Sequence, residues 1–491
     1  MRTGASPLTA FWRDEHGGIL VFAAMALGVM LGMVALVFDA GRLSATHTEL
    51  QSFADGVALA AAGELDGAAD ALDRANLAAA NLVSGSQTFA EGSATLAGNV
   101  DATVVYLDDL PADDTASTAA FQTNDPARAI YAHVTLTPRS VRLPFADALA
   151  ALTGNAAVDN SIGAEAVAGF TRYACDITPL MFCLPNASYT ADANIGDSIL
   201  LRSGGNGAAW GPGDFGFLDV TGAQIDPEGP CAGLNGAQLT ACAIAASGNI
   251  SACFAQRGVD IEPGQKVGIE NSIFNTRFDM FSAMMSGKKN NPAYAPGPHV
   301  VKGLKNKSGN GQCVGNNSEP TGDTMAFPED DCFPTCANGR FGDGTWTAGR
   351  QSYVDTNYDG TDPFAGAPGV VTRYDYYRAE IAAAGPGGQI LAPSKSESGR
   401  PQCSNSVIND PDRRVFVAAG IDCAANPING AKTDVPVREF FRVFLLRPVG
   451  HAATSPPNFD LWVENIGSAG GNGAGASSIS GVFRDVVQLY R

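Results

Sequence analysis

Residues 17–38 read GGILVFAAMALGVMLGMVALVF, an apolar run of 22 residues without a charged side chain. At about 1.5 Å per residue, a helix of this length crosses the roughly 30 Å hydrocarbon core of a bilayer. A cleaved signal peptide is the competing interpretation. Such peptides have shorter apolar runs that end in small residues, whereas Asp39-Ala40-Gly41-Arg42 follows here. The run therefore predicts a transmembrane helix that stays in the mature protein.

The placement of cysteines sets the expected orientation of this helix. All ten cysteines lie C-terminal to it, and an even number of cysteines indicates disulfides formed in an oxidising compartment. The charges that flank the run are weaker evidence for its orientation, because Arg2 and Arg13 precede it and Arg42 follows it. We therefore expect residues 1–16 in the cytoplasm and the bulk of the chain in an oxidising compartment on the other side of the membrane, as in a single-pass protein.

The helical pattern continues beyond the membrane. Leu43, Leu50 and Val57 recur every seven residues, and Phe53 falls on the same stripe. The spacing predicts one continuous helix whose juxtamembrane part covers residues 39–65. Such a stripe packs either on the chain's own domain or on a partner protein, and the sequence leaves both alternatives open.

A series of short motifs occupies this same stretch. It comprises Asp39-Ala40-Gly41-Arg42-Leu43, Glu49-Leu50-Gln51, Ala54-Asp55 and Ala58-Leu59-Ala60-Ala61-Ala62. In this order after an apolar span, the motifs resemble the N-terminal module of TadG-like Flp (tight adherence) pilus-assembly proteins, over about residues 13–65. The resemblance implies a membrane-anchored component of pilus assembly or anchoring. Its expected partners are the membrane and the pilus-assembly proteins of the inner membrane and periplasm.

One departure from pilin-type sequences narrows this expectation. Pilins that the prepilin peptidase cuts carry Glu at the fifth position after the cut, whereas the fifth residue after Gly18 is Ala23. The resemblance therefore favours an anchored assembly component over a polymerising subunit.

The remaining sequence predicts an α+β fold. Residues 66–170 read as a small α+β domain, with a helix at 66–84, strands at 101–107, 129–136 and 141–145, and a short helix at 145–152. Residues 171–491 contain all the cysteines, with strands at 439–446 and 459–464. The 57 glycines and 28 prolines suit a turn-rich β structure. We expect this larger part to be a β-rich, disulfide-bonded extracytoplasmic domain.

The pairing of the cysteines cannot be read from their order. Close spacing favours Cys175 with Cys183 and Cys332 with Cys336. A zinc site at the second pair is the competing interpretation, but no matching second pair follows it.

One short segment has the residue types of a calcium loop. Asp355, Asn357 and Asp359 stand at alternate positions, Gly360 follows, and Thr361 offers a backbone carbonyl. The glutamate expected at the twelfth position is missing. We therefore keep two interpretations, a calcium site or a polar turn without metal.

Charge and motifs exclude several classes of function. The chain has 31 basic and 50 acidic residues, a net charge of −19, and no lysine before Lys266. It thus lacks the basic surface needed to bind nucleic acid. The sequence also lacks the Gly-x-Ser-x-Gly, His-Glu-x-x-His and phosphate-loop motifs, so we expect no enzyme. An anchored extracytoplasmic adhesive or ligand-binding module, with or without bound calcium, is the alternative to an assembly protein.

Overall fold

A computed structural model describes most of the chain. The described residues are 18–126, 128–154, 160–175, 177–205, 208–220, 225–247, 253–256, 258–262, 270–307, 313–314, 318–385, 388–450, 460–469 and 483–490. The expected cytoplasmic segment 1–16 lies outside them. The chain forms two compact units. Unit 1 ends at Phe170 and takes in the last residues from Val486, and unit 2 begins at Thr171.

Unit 1 combines four helices with short strands in its described part. The helices are α1 (Gly18–Ala62), α2 (Ala71–Asn81), α3 (Gly98–Asp101) and α4 (Pro144–Thr153), with a 3-10 turn at Thr118–Phe121. The strands are β1 (Ser84–Ser86), β2 (Thr95–Ala97), β3 (Ala102–Leu107), β4 (Tyr131–Leu136), β5 (Arg139–Ser140), β6 (Ser161–Ile162) and the first part of β7 (Glu165–Cys175). β4 pairs antiparallel with both β3 and β7.

The core of unit 1 lies between α1 and this sheet. Leu50, Phe53 and Val57 of α1 are buried with Ala132 and Val134 of β4. Burial of apolar surface between a helix stripe and a sheet face is the main stabilising term in a domain of this size. The small α+β region predicted from the sequence is therefore built around the juxtamembrane helix.

One predicted strand in unit 1 is wrong. The stretch 141–145 pairs only at its start, where Val141 bridges to Ala90, and Pro144 then opens α4. Proline favours the first turn of a helix because its φ is already helical and the amide it lacks would have no partner there. The short helix predicted at 145–152 is confirmed as α4.

Unit 2 is richer in strands. Its strands are β8 (Leu180–Cys183), β9 (Ser198–Ser203), β10 (Asp214–Phe217), β11 (Cys253–Ala255), β12 (Val259–Ile261), β13 (Leu304–Asn306), β14 (Ser318–Pro320), β15 (Val415–Ile421), β16 (Lys432–Val435), β17 (Glu439–Leu445), β18 (Leu461–Ser468) and the start of β19 (Phe483–Leu489). Its helices are α5 (Gly236–Ala245), α6 (Glu270–Asn275), α7 (Thr347–Asn357) and α8 (Arg373–Ala384), with 3-10 turns at Asp192–Asn194, Thr276–Phe278, Ala283–Met285, Pro292–Tyr294 and Pro411–Arg414.

Six of these strands close into a barrel in the order β10-β8-β15-β17-β18-β9. The pairs β15 with β8 and β10 with β9 are parallel, and the others are antiparallel. Closure leaves no free sheet edge, and the interior is filled by large side chains such as Phe182, Phe215 and Phe441. The predicted β-rich fold class is confirmed.

All ten cysteines are joined in five disulfides. The pairs are Cys175–Cys253, Cys183–Cys423, Cys231–Cys242, Cys313–Cys403 and Cys332–Cys336. The predicted pair Cys332–Cys336 is confirmed, which leaves no thiolate there for zinc. The predicted pair Cys175–Cys183 is wrong, because the first residue ends β7 opposite β11 and the second ends β8 beside β15.

Candidate functional site at the juxtamembrane helix

The first half of α1 presents an apolar surface that the protein does not cover. Every large apolar side chain from Ile19 to Phe38 is at least 50% exposed. Among the described residues one helix is long and apolar enough to cross a membrane, with a window of mean hydropathy 2.6 that is 0% buried. A soluble protein rarely exposes such a continuous apolar surface. This half of α1 fits a single-pass membrane anchor.

The second half of α1 is docked on unit 1. Leu50 is 1% exposed, Val57 is fully buried, and Ala54, Ala58 and Ala61 between and after them are also fully buried. The small alanine side chains let the helix lie close to the sheet. Of the two alternatives left open by the heptad stripe, the structure shows packing on the chain's own domain.

Asp39, the first charged residue after the span, fastens α1 to α4. Its Oδ2 accepts a hydrogen bond of 2.8 Å from the backbone amide of Ala146, in the first turn of α4. The residue before that helix, Leu143, offers no side-chain cap. An acidic side chain at a helix N-terminus accepts a hydrogen bond from a free backbone amide, and its negative charge is attracted to the positive end of the helix dipole. Asp39 therefore caps α4 from another helix.

Arg42 makes a second contact with the same region. Its Nη1 donates a hydrogen bond of 3.2 Å to the carbonyl of Arg142. Its guanidinium also lies 4.9 Å from the ring centroid of Phe38 and 5.3 Å from that of Phe89, within the range of cation–π attraction. Asp39 and Arg42 therefore both bind the segment around the start of α4.

The Gln51 and Asp55 side chains of the motif series also bind within unit 1. Gln51 Nε2 donates to Asp55 Oδ1 and to the carbonyl of Glu165, each at 2.8 Å. Asp55 thus helps to hold the amide that ties α1 to the start of β7. These positional roles could not be read from the sequence, because the partners are about 100 residues away.

Loss of the Asp39 cap should loosen α4. We expect Asp39→Ala to destabilise α4 by about 1 kcal/mol, the usual effect of deleting a helix cap. The measurement is the hydrogen exchange rate of the Ala146 amide, with Asp39→Asn as the matched control because its amide oxygen can still accept the bond. Equal exchange rates in the two variants would contradict the capping role.

The residues of the predicted calcium loop lie at and beyond the end of α7. Asn357 is buried, and its amide both accepts from the Met325 nitrogen and donates to the Met325 carbonyl, each at 2.9 Å. Asp359 Oδ1 is 2.8 Å from Lys395 Nζ. Asp355 accepts from Gln351 on the helix, and Thr361 is exposed. Among the described residues no group of three or more acidic, histidine or cysteine side chains is arranged for a metal.

These contacts bear on the calcium hypothesis, which stays a prediction. A calcium ion would have to displace Lys395 from Asp359 and Met325 from Asn357. We therefore expect the melting temperature to agree within about 1 °C in calcium and in chelator, since a ligand stabilises only the state that binds it. A rise of several degrees in calcium that Asp359→Asn abolishes would favour the calcium site instead.

A second cluster, inside unit 2, has the residue types of an acid–base site. Glu380 accepts hydrogen bonds from Tyr353 and Tyr358 at 2.9 and 2.6 Å, and its Oε2 lies 3.0 Å from His299 Nε2. Burial raises the pKa of the Glu380 carboxyl to about 8. It also lowers the pKa of His299 well below its usual value, so burial favours the neutral form of both groups. The side chains of this pair are at most 1% exposed, which indicates a structural role.

Glu380 should make the stability of unit 2 depend on pH. Its folded pKa lies above the usual value, so its contribution is complete at acid pH and is lost as the pH rises through about 8. Between pH about 6.5 and 8, the unfolding free energy of the wild type should fall as the pH rises. We expect this fall to be smaller in Glu380→Gln, by about 1 kcal/mol per pH unit. Urea unfolding across this range measures it. Glu319→Gln, at a half-exposed site, is the control, and equal slopes in the two variants would contradict the assignment.

Comparison with known proteins addresses the N-terminal part of the chain. Residues 17–64 match the family model Tad, described as "Putative Flp pilus-assembly TadE/G-like". No curated protein and no solved structure matches the chain. The matched stretch begins at the apolar span and ends just beyond α1, so it coincides with the helix that carries Asp39, Arg42, Gln51 and Asp55. The resemblance seen in the sequence is confirmed, and residues 17–64 are similar to the module that this TadE/G-like Flp pilus-assembly model describes.

Proposed function

We propose that the protein is a single-pass inner-membrane component of Flp/Tad-type pilus assembly or anchoring, and that it acts without catalysis through protein–protein contacts. The family match of residues 17–64 carries this proposal. The uncovered apolar half of α1 supports the anchor. Its partners are assembly proteins of the inner membrane and periplasm.

The five disulfides support the proposed orientation. Disulfides persist in the periplasm and are rare in the cytoplasm. Every paired cysteine follows the span, the first being Cys175. The residues before the span then face the cytoplasm, and both compact units face the periplasm.

Two surfaces of α1 remain available to assembly partners. Within the span, Gly28 and Gly32 lie one helical turn apart, and an added Cβ at either would meet no other atom within 4 Å, so another helix can approach there closely. Beyond the membrane, the side chains of Ser44, His47 and Ser52 on α1 are exposed. Because the rest of the motif series binds unit 1, we assign partner contacts first to the span.

A helix swap tests this proposal. Deletion of residues 1–65 would remove the core of unit 1, but residues 19–37 contribute no buried side chain. They can be replaced by an unrelated apolar helix of the same length without loss of the fold. In cells that build Flp pili, we expect the swapped chain to reach the membrane at the normal level while pilus number falls to that of a strain lacking the chain.

Two controls complete the test. The wild-type chain reintroduced into the deletion strain must restore pili, and the swapped chain must keep the thermal melting curve of the wild type. Normal pili in the deletion strain together with lost surface adhesion would contradict the assembly role and favour the adhesive alternative. Normal pili in the swapped strain would place the partner contacts outside the span.

A further inference from the structure

Helix α4 carries an exposed apolar face that the assembly role does not explain. The helix reads PFADALAALT, and Phe145 and Leu149 are 46% and 62% exposed. At about 100° per residue, Phe145, Ala148 and Leu149 share an arc of about 100°. Asp147 lies about 160° around the helix from both Phe145 and Leu149. The helix is therefore amphipathic, with its apolar side uncovered and its one charge on the other side.

The structure fixes this helix at the membrane end of unit 1. The Ala146 amide binds Asp39 Oδ2 at 2.8 Å, and the Phe145 ring packs edge-on against Phe38 at 5.6 Å between centroids. Phe38 is the last residue of the uncharged span, and Asp39 is the first charged residue after it. The apolar face of α4 is thus continuous with the apolar surface of the span.

The size of the face points to lipid as its occupant. A stable protein–protein contact usually covers about 800 Å² on each partner, which two large side chains and one alanine cannot supply alone. A short amphipathic helix beside a span instead buries its apolar side about 5–10 Å into the boundary between headgroups and acyl chains. Asp147 would then point to water, and Arg42, one turn beyond Phe38, can reach the lipid phosphates.

We propose that α4 inserts Phe145 and Leu149 into the same bilayer leaflet from which α1 emerges, so that unit 1 is held against the membrane by two elements. This inference rests on the proposed membrane anchor. It assigns to unit 1 a lipid-binding surface of its own and fixes the height of the unit above the membrane.

The test uses the full chain in phosphatidylcholine–phosphatidylglycerol liposomes. All native cysteines are in disulfides, so a single introduced cysteine can be labelled selectively with the fluorophore NBD. The sites are Leu149→Cys, the matched control Leu77→Cys, and Phe22→Cys within the span. Leu77 is 63% exposed, close to the value for Leu149. It lies on α2, which packs near the far end of α1, where Arg74 binds Glu64.

The proposal predicts lipid contact at Leu149 but not at Leu77. Iodide in the aqueous phase should quench NBD at Leu149 at least about threefold less than at Leu77, and nitroxide-bearing lipids should show the opposite order, because an interfacial helix excludes water from its apolar side. Equal iodide quenching at Leu149 and Leu77 would overturn the inference. Protection from iodide without quenching by nitroxide lipids would also overturn it, since that result means a protein covers the face.

The Phe22 label separates this inference from the membrane anchor. If Phe22 is lipid-protected while Leu149 behaves like Leu77, the anchor stands and the role of α4 is wrong. If Phe22 itself is open to iodide, the anchor is wrong, and the inference about α4 is overturned with it.

Discussion

Replacement of both Cys183 and Cys423 by alanine should lower the free energy of unfolding of unit 2 by about 5 kcal/mol. The disulfide joins residues that are 240 positions apart in the chain. The entropy that a cross-link removes from the unfolded chain grows with the loop it closes. Ile421 of β15 lies opposite Cys183 in the parallel pair with β8, so the bond also fastens two barrel strands that are distant in sequence.

A short-range disulfide provides the matched control. Cys332 and Cys336 are only 4 positions apart, and the same entropy relation gives a loss of about 2 kcal/mol for their removal. Urea unfolding followed by far-UV circular dichroism compares the two double variants under oxidising conditions. An equal decrease in unfolding free energy for both double variants would mean that loop length does not determine how much these disulfides stabilise the protein.

Removal of the buried guanidinium of Arg373 should be almost as damaging. Arg373 is fully buried at the start of α8. It binds Asp330 Oδ1 at 2.5 Å and Glu464 Oε1 at 3.0 Å, and donates to the Pro328 carbonyl at 2.6 Å. Arg373→Met would leave two buried carboxylates without their cation. Breaking one side of a buried ion pair in this way costs about 3–5 kcal/mol.

The pH dependence distinguishes this mechanism from lost packing. Burial raises the pKa of Glu464, and Arg373 opposes that rise, so loss of the guanidinium should raise it further. Protonation at low pH then relieves the penalty, and the destabilisation should shrink as the pH falls from about 8 to 5. Arg378→Met, on the exposed side of the same helix, should change stability by less than about 0.5 kcal/mol. If the decrease in unfolding free energy caused by Arg373→Met did not change with pH, the unpaired carboxylates would not be its cause.

The parts of the fold that depend on local sequence patterns could be predicted. An apolar run of 22 residues predicts its own helix, and the heptad spacing of Leu43, Leu50 and Val57 predicts that this helix continues. Alternating residues likewise indicated β3 and β4 in unit 1, and β17 in unit 2. Each of these signals lies within a few residues of the element it specifies.

The barrel and its disulfides depend on contacts that no local pattern contains. Cys175 and Cys183 are close in sequence, but they end strands that pair with different neighbours, β11 and β15. Closure of the barrel likewise needs β8 to meet a strand more than 200 residues later. Such pairings are set by the packing of the whole unit, which explains why the predicted Cys175–Cys183 bond is wrong.

The candidate site was predicted in part. The sequence marked Asp39, Arg42, Gln51 and Asp55 as members of a motif series, but their partners lie near Arg142 and Glu165. A cap supplied by Asp39 to a helix that starts more than 100 residues later leaves no trace in the spacing of the motif. The signal that could have pointed to it is the start of α4 itself, where Pro144 opens a helix without a capping side chain before it.

Protease digestion of spheroplasts followed by alkaline carbonate extraction measures both the anchoring of α1 in the membrane and the side of the membrane on which the two units lie. A chain tagged at its N-terminus should stay in the carbonate-washed membrane. Protease added outside should remove the disulfide-bonded part and leave a small tagged fragment that contains the span. Release of the chain by carbonate, or protection of unit 2 from the protease until the membrane is lysed, would contradict the account.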